Sequence, residues 1–145
     1  MNIYFACSIT GGREFESVYR EIVDSLLAEG HEIPTSHLAH SEVVDKEGLI
    51  SPREVYTRDV NWIENCDVLI AEVSVPSHGV GYEIAYALGK DKPVLCLYQA
   101  GRKVSKMITG NTYPRLKVET YLDMKDAIQK AQGFLGESVK FLTNL

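Results

Sequence analysis

Residues 67–89 read DVLIAEVSVPSHGVGYEIAYALG, and the fold turns on this stretch. Asp67 to Val73 is short and almost wholly apolar, the signature of a strand buried on both faces. A Pro-Ser-His-Gly turn follows at 76–79. Residues 80–90 then read as a helix whose Val80, Ile84, Ala85, Ala87 and Leu88 leave little polar surface. Outward from this centre the same alternation repeats. Residues 2–7 form a buried strand, Gly11-Gly12 breaks the chain, and 14–29 is a helix with Phe15, Val18, Ile22 and Leu26 at helical spacing. Gly30 stops it, a short strand is expected at 32–35, and 36–51 reads as a polar loop. Ser51-Pro52 is an N-cap with proline at the first helical position, opening a helix to about 65. Residues 93–98 form another strand, 117–120 a weaker one, and Asp123 caps a last helix bearing Met124, Ile128, Ala131 and Leu135. Residues 139–145 read as a tail or contact segment. The expected fold is α/β: one domain over 1–145, a three-layer, doubly wound, flavodoxin- or Rossmann-like sheet of five parallel strands with helices on both faces.

Composition narrows the function. A formal net charge of −5 with no basic stripe argues against polymeric nucleic acid, although one phosphate on a small ligand needs no stripe. Cys7, Cys66 and Cys96 lack zinc-site spacing and fit a reducing compartment. No stretch is long enough to span a bilayer, and no basic leader opens the chain, so a cytoplasmic protein is expected.

In a doubly wound sheet, ligands bind at the carboxyl ends of the strands, at the switch in strand order. That directs attention to 8–13, 37–49, 72–83 and 99–110. Ser8-Ile9-Thr10-Gly11-Gly12-Arg13 joins a strand to a helix; it suits either an anion cradle or a plain tight turn. Arg13 suits a phosphate partner or a surface residue. Glu83 is the only charged residue between Gly79 and Gly89. In the first turn of an apolar helix it reads as a partly desolvated nucleophile or as an N3 capping glutamate, and the residues alone leave both open. Asp59 falls inside the apolar arc of Val55, Tyr56, Trp62 and Ile63, while Arg58 lies on the polar side. An acid there is either satisfied locally or functional. With Glu83 it would supply the paired carboxylates of glycoside hydrolysis. His37 and His40 lack partners at metal-ligating spacing, though His37 could line a base pocket. Glu72 reads as accepting local backbone bonds, Asp67 as structural, and Arg102, Lys103, Ser105 and Lys106 as a small cationic patch.

Taken together, Tyr4-Phe5, Ser8-Ile9 with Gly11-Gly12-Arg13, Asp59, Trp62, Asp67 to Glu72, Pro76-Ser77 with Gly79-Val80-Gly81-Tyr82-Glu83, and Ser105, Met107, Ile108 and Gly110 resemble the nucleoside 2-deoxyribosyltransferase superfamily, above all its 2'-deoxynucleoside 5'-phosphate N-hydrolase branch. The resemblance implies hydrolysis of a small-molecule nucleotide to free base and deoxyribose 5-phosphate, without metal or organic cofactor. Glu83 would attack C1' to form a glycosyl-enzyme ester. Asp59 would contact the sugar or position nucleophile and water, and Tyr4 would orient Glu83 or the sugar. Ser8, Ile9, Thr10, Gly11, Arg13, His37, Ser77, Gly79, Ser105 and Met107 would bind substrate, with Ser105 supplied by the second subunit of a homodimer. The branch often carries arginine where this chain has Thr10, so the Thr10 hydroxyl is expected to serve as a donor, with Arg13, Arg102 or Lys106 to compensate for the charge. The competing readings are base exchange on free nucleosides, hydrolysis of ribonucleotides such as CMP, and nucleotide binding without catalysis.

Overall fold

The structure is a computed structural model that describes residues 1–144. Its sheet has four parallel strands in the order β1 (Ile3–Ala6), β2 (Val68–Glu72), β3 (Val94–Gln99) and β4 (Leu116–Tyr121). In register, Phe5 lies opposite Ile70, and Ile70 opposite Leu95. Six helices accompany it: α1 (Glu16–Ala28), α2 (Val43–Gly48), α3 (Pro52–Asn65), α4 (His78–Gly89), α5 (Lys106–Thr109) and α6 (Met124–Thr143).

Strand side chains alternate between faces, and that alternation builds two cores. Ile3, Phe5, Val68, Ile70, Leu95 and Leu97 pack under α1 and α6, where Tyr19, Ile22, Leu26, Ala131 and Phe134 meet them. Tyr4, Ala6, Leu69, Ala71, Val94 and Cys96 face the other way, against Ile63 of α3 and Val80, Ile84, Ala87 and Leu88 of α4. The doubly wound, three-layer arrangement therefore holds, and it sends Tyr4 toward the layer made by α3 and α4.

The expected fifth strand at 32–35 does not form. Only one bridge, Asn2 to Glu32, marks its place. Pro34 has no N–H for a ladder. The N–H of Phe5, which a fifth strand would have engaged, donates instead to Thr35 Oγ1 at 3.0 Å. The chain still passes outside β1 before crossing back to β2, so the reversal of winding falls between those two strands. Their carboxyl ends frame the crevice expected there.

Two further expectations change. The segment 36–51 is not a plain loop: a 3-10 turn, Ser36–Ala39, and α2 are docked by the buried Leu38, Ala39 and Val43. Residues 139–143 continue α6 rather than forming a loose tail. The caps stand as read. Ser51 and Glu54 close a reciprocal capping box at α3 with Pro52 at its first position, and Asp123 accepts from Asp126 N at α6.

Candidate active site

A cleft of about 490 Å³ opens at the carboxyl ends of β1 and β2. Glu83 and Asp59 both line it, with Ile9, Thr10, Ser77 and Gly79. The apolar part of its wall comes from Leu38, Ile50, Pro52, Val55 and Tyr56. Tyr82 completes the mouth, packed edge-on against Tyr56 with ring centroids 6.3 Å apart.

Glu83 reaches the cleft from α4, whose N-cap is Ser77; the Ser77 hydroxyl accepts from Val80 N at 3.3 Å. Counted from that cap, Glu83 stands in the second turn. It is neither in the first turn nor the N3 capping residue, so the capping explanation for this acid lapses. The helix is also less enclosed than its composition suggests: Gly81, Tyr82 and Ala85 are exposed, and only the stripe of Val80, Ile84, Ala87 and Leu88 is buried. Burial, and then the negative charge of Asp59, push the Glu83 carboxyl up to about 8, against smaller opposing effects of Tyr4 and Arg58. Asp59 is likewise raised by burial, with the adjacent Arg58 guanidinium working in the other direction. The charge of Asp59 is thus one reason that Glu83 keeps its proton.

Tyr4 lies beneath this pair, fully buried, and its hydroxyl makes no hydrogen bond of ordinary geometry. It is close enough to Glu83 to favour the ionised carboxylate, and burial and the two acids hold the phenol strongly protonated. Ser8 is also fully buried with an unpartnered hydroxyl. Its loop packs so tightly on the 75–77 turn that a Cβ on Gly11 would come within 2.6 Å of both Pro76 O and Ser8 Oγ. Glycine at 11 is therefore required by close approach. Together, the Ser8–Gly11 loop and the capped N-terminus of α4 form an uncharged cradle beside the carboxylates, of the kind that accepts an anion through N–H and hydroxyl groups.

Other expected site residues are placed elsewhere. Arg13 does not face the cleft: it donates to Ser8 O, Leu38 O and His40 O at 3.2, 3.1 and 3.0 Å and pairs with Glu16, tying the first loop to the 3-10 turn. Arg102 pairs with Glu14 and stacks on Phe15. Neither guanidinium is poised to replace the charge absent at Thr10. His37 stands behind the wall, its Nε2 2.9 Å from Glu47 Oε1 and its ring edge-on to Trp62. Ser105 and Met107 line a second cavity of about 550 Å³ that shares Ser77 and Val80 with the first. Within one chain they do not reach the wall that holds Glu83.

Besides that apolar wall, the structure brings three titratable side chains to the cleft region. Cys7 lines the cleft, its thiol pushed up to about 12 chiefly by burial and hence no nucleophile. Glu47 lines it from α2, and Arg58 bonds both Glu47 and Asp59. Burial of Glu47 would raise its pKa, but hydrogen bonds from Arg58 and His37 prevail and hold it below the ordinary carboxylate value. Glu72, by contrast, serves locally as expected, accepting from Ser74 N at 2.6 Å and from the Tyr121 hydroxyl. Asp67 accepts from Asn2 N at 2.7 Å, a structural tie.

The sequence pattern of the nucleoside 2-deoxyribosyltransferase family matches residues 3–145. A protein of Methanococcoides burtonii named as a 2'-deoxynucleoside 5'-phosphate N-hydrolase 1 is 40% identical over 121 residues, covering 83% of this chain and 99% of that one. The 5-hydroxymethyl-dUMP N-hydrolase of Rattus norvegicus is 38% identical over 135 residues, 84% of this chain and 82% of the other. Among solved structures, a CMP N-glycosidase of Clostridium botulinum superposes with a TM-score of 0.69 over 91% of this chain and 98% of its own, at 21% identity. That similarity speaks to the fold alone.

Proposed function

This chain belongs to the nucleoside 2-deoxyribosyltransferase family, and from that premise we propose that it hydrolyses the N-glycosidic bond of 2'-deoxynucleoside 5'-monophosphates to free base and 2-deoxyribose 5-phosphate. The observation that carries this reading is the pair of acids. Glu83 and Asp59 come from different helices to line one cleft, at partly desolvated positions, beside an uncharged anion cradle. A site built only to hold phosphate would gain nothing from two carboxyl groups.

The ionised Glu83 attacks C1' as the bond to the base breaks, and the departing base nitrogen takes its proton from solvent. Water then attacks C1' of the glycosyl ester, gives up one proton to solvent, and Glu83 is released as carboxylate. Asp59 contacts the sugar and positions nucleophile and water; Tyr4, buried beside Glu83, holds it in line. The 5'-phosphate occupies the cradle of Ser8, Ile9, Thr10, Gly11, Ser77 and Gly79. Residues 1–145 act as one catalytic domain of a cytoplasmic homodimer, in which Ser105 and Met107 complete the partner's site. Arg13 contributes by fixing the cradle loop, and His37 by holding Glu47.

Incubation with dGMP, dAMP, dCMP, dTMP and deoxyguanosine, with free base followed by chromatography, tests the reading. Release from a deoxynucleotide is expected, little from deoxyguanosine, and none in Glu83→Ala. Release that survives loss of Glu83, or no release from any substrate, sinks it. Because Glu83 must be ionised to attack, kcat/KM should fall on the acid side, with a midpoint within about one unit of 8. A second reading, deoxyribosyl transfer, draws support from the family's own name; faster turnover of free nucleosides when an acceptor base is added would favour it.

A further inference from the structure

Neighbouring residues on a helix point about 100° apart and ordinarily do not meet. On α3, Arg58 and Asp59 nevertheless do: Arg58 Nε donates to Asp59 Oδ1 at 2.8 Å. The guanidinium is drawn across by partners on other elements. Glu47 of α2 receives it in a bidentate pair, Nη1 to Oε1 at 2.9 Å and Nη2 to Oε2 at 3.1 Å. Its plane lies over the Trp62 ring, 4.7 Å from the centroid. His37 fixes Glu47 from behind at 2.9 Å and packs on the same indole. Asp59 Oδ2 accepts no hydrogen bond among the described residues, whereas Oδ1 is taken.

We propose that Arg58 is a positioning residue for Asp59: clamped between Glu47 and Trp62, it fixes one carboxylate oxygen and leaves the other to face the sugar and Glu83. The proposal deepens the hydrolase reading and rests on it. The geometry demands arginine, because only a guanidinium presents one N–H to Asp59 while giving two parallel N–H groups to Glu47. It also gives α2 a function, since the segment 36–51 supplies the carboxylate that sets Asp59 from a distance. The charged and titratable groups facing this cluster are His37 from the 3-10 turn, Glu47 from α2, Asp59 from α3, Glu83 from α4 and Tyr4 from β1. The Arg58 guanidinium works against the burial that raises both acids, through a hydrogen bond and its charge at Asp59 and, as a minor effect, through its charge at Glu83.

The test compares Arg58→Lys, Arg58→Met and Glu47→Gln with the wild type, after thermal melting confirms that each folds. Both Arg58 variants should lose about 10- to 100-fold in kcat with KM changed far less, the expected result of a misplaced catalytic group. Arg58→Met should also move the acid limb of kcat/KM to higher pH, because the cation is gone. Arg58→Lys, which keeps charge but not geometry, should lose rate with the limb nearly in place. Glu47→Gln should show a smaller loss of the same kind, and it stands in should an Arg58 variant fail to fold. A substrate-free arm follows the side-chain carboxyl carbons of Asp59 and Glu83 by NMR titration; both midpoints should rise in Arg58→Met. Kinetics and titrations that superimpose on the wild type overturn the proposal. If the wild type releases no base, the hydrolase reading fails on its own, and the NMR arm still decides whether Arg58 controls Asp59.

Discussion

Glu83 is held in an environment that opposes its own charge, and this has a cost that can be measured without any substrate. Its carboxyl is raised from the ordinary 4.5 to about 8 by burial and by Asp59. Between those values the folded protein keeps a proton that the unfolded chain has lost, so stability falls as pH rises from about 4.5 to 8. Glutamine keeps the shape and has no charge to bury. Glu83→Gln should therefore melt close to the wild type near pH 5 and above it near pH 8.5, by an amount on the order of 2–4 kcal/mol. Thermal scans at the two pH values check this; a gap that does not widen with pH would mean that Glu83 ionises freely. Asp59 was legible because an acid inside an apolar helical arc breaks a periodic pattern. Arg58 was not, because it lies on the polar arc and reaches Asp59 only through Glu47, and no local spacing encodes that partnership. Arg13 reads as a phosphate ligand on its loop, yet its partners are carbonyls of residues 38 and 40 brought close by folding.

At the scale of elements, the site depends on where α3 begins. Ser51 and Glu54 satisfy each other's backbone donors at its start, and the first turn carries Pro52 and Val55, which line the cleft. Ser51→Ala should remove about 1 kcal/mol. It should speed amide hydrogen exchange in residues 52–55 while leaving the turn that bears Asp59 protected. Exchange followed by mass spectrometry reads this directly; uniform acceleration along α3 would show that packing, not the cap, holds its end. Caps of this kind were legible in advance because they are local: Ser51-Pro52 and Asp123 sit within four residues of the groups they satisfy. The missing strand at 32–35 was not, because pairing is decided by what the neighbouring edge receives. Thr35 answers the Phe5 N–H with a side chain, and no ladder is needed. The short α2 is not legible in the sequence because its helical period is too brief to stand out from a polar segment, and only Val43 anchors it among buried residues.

For the whole molecule, alternation along β1 sets the candidate site on one side of the sheet. Tyr4 faces α3 and α4, so the acids of those two helices converge above it, while Phe5 faces α1 and α6. What one chain leaves open is also informative. Ser105 and Met107 line the adjoining cavity, Met107 is 83% exposed, and Tyr56 and Tyr82 add aromatic surface at the cleft mouth. In the proposed homodimer this surface is covered and Ser105 serves the partner's site. A two-fold interface makes that arrangement reciprocal. Glu83→Gln and Ser105→Ala chains, each deficient alone, would then complement one another. In a mixed dimer, one site takes Glu83 from the Ser105→Ala chain and Ser105 from the Glu83→Gln chain, and is intact; the other carries both changes. Dissociating and reassociating an equal mixture makes half the dimers mixed, so about a quarter of all sites should regain full activity. If Ser105 serves its own chain, every site in the mixture keeps one defect and no activity returns. Size-exclusion chromatography of the same samples separates that outcome from a protein that never dimerises, because a monomer gives no recovery and elutes at half the mass.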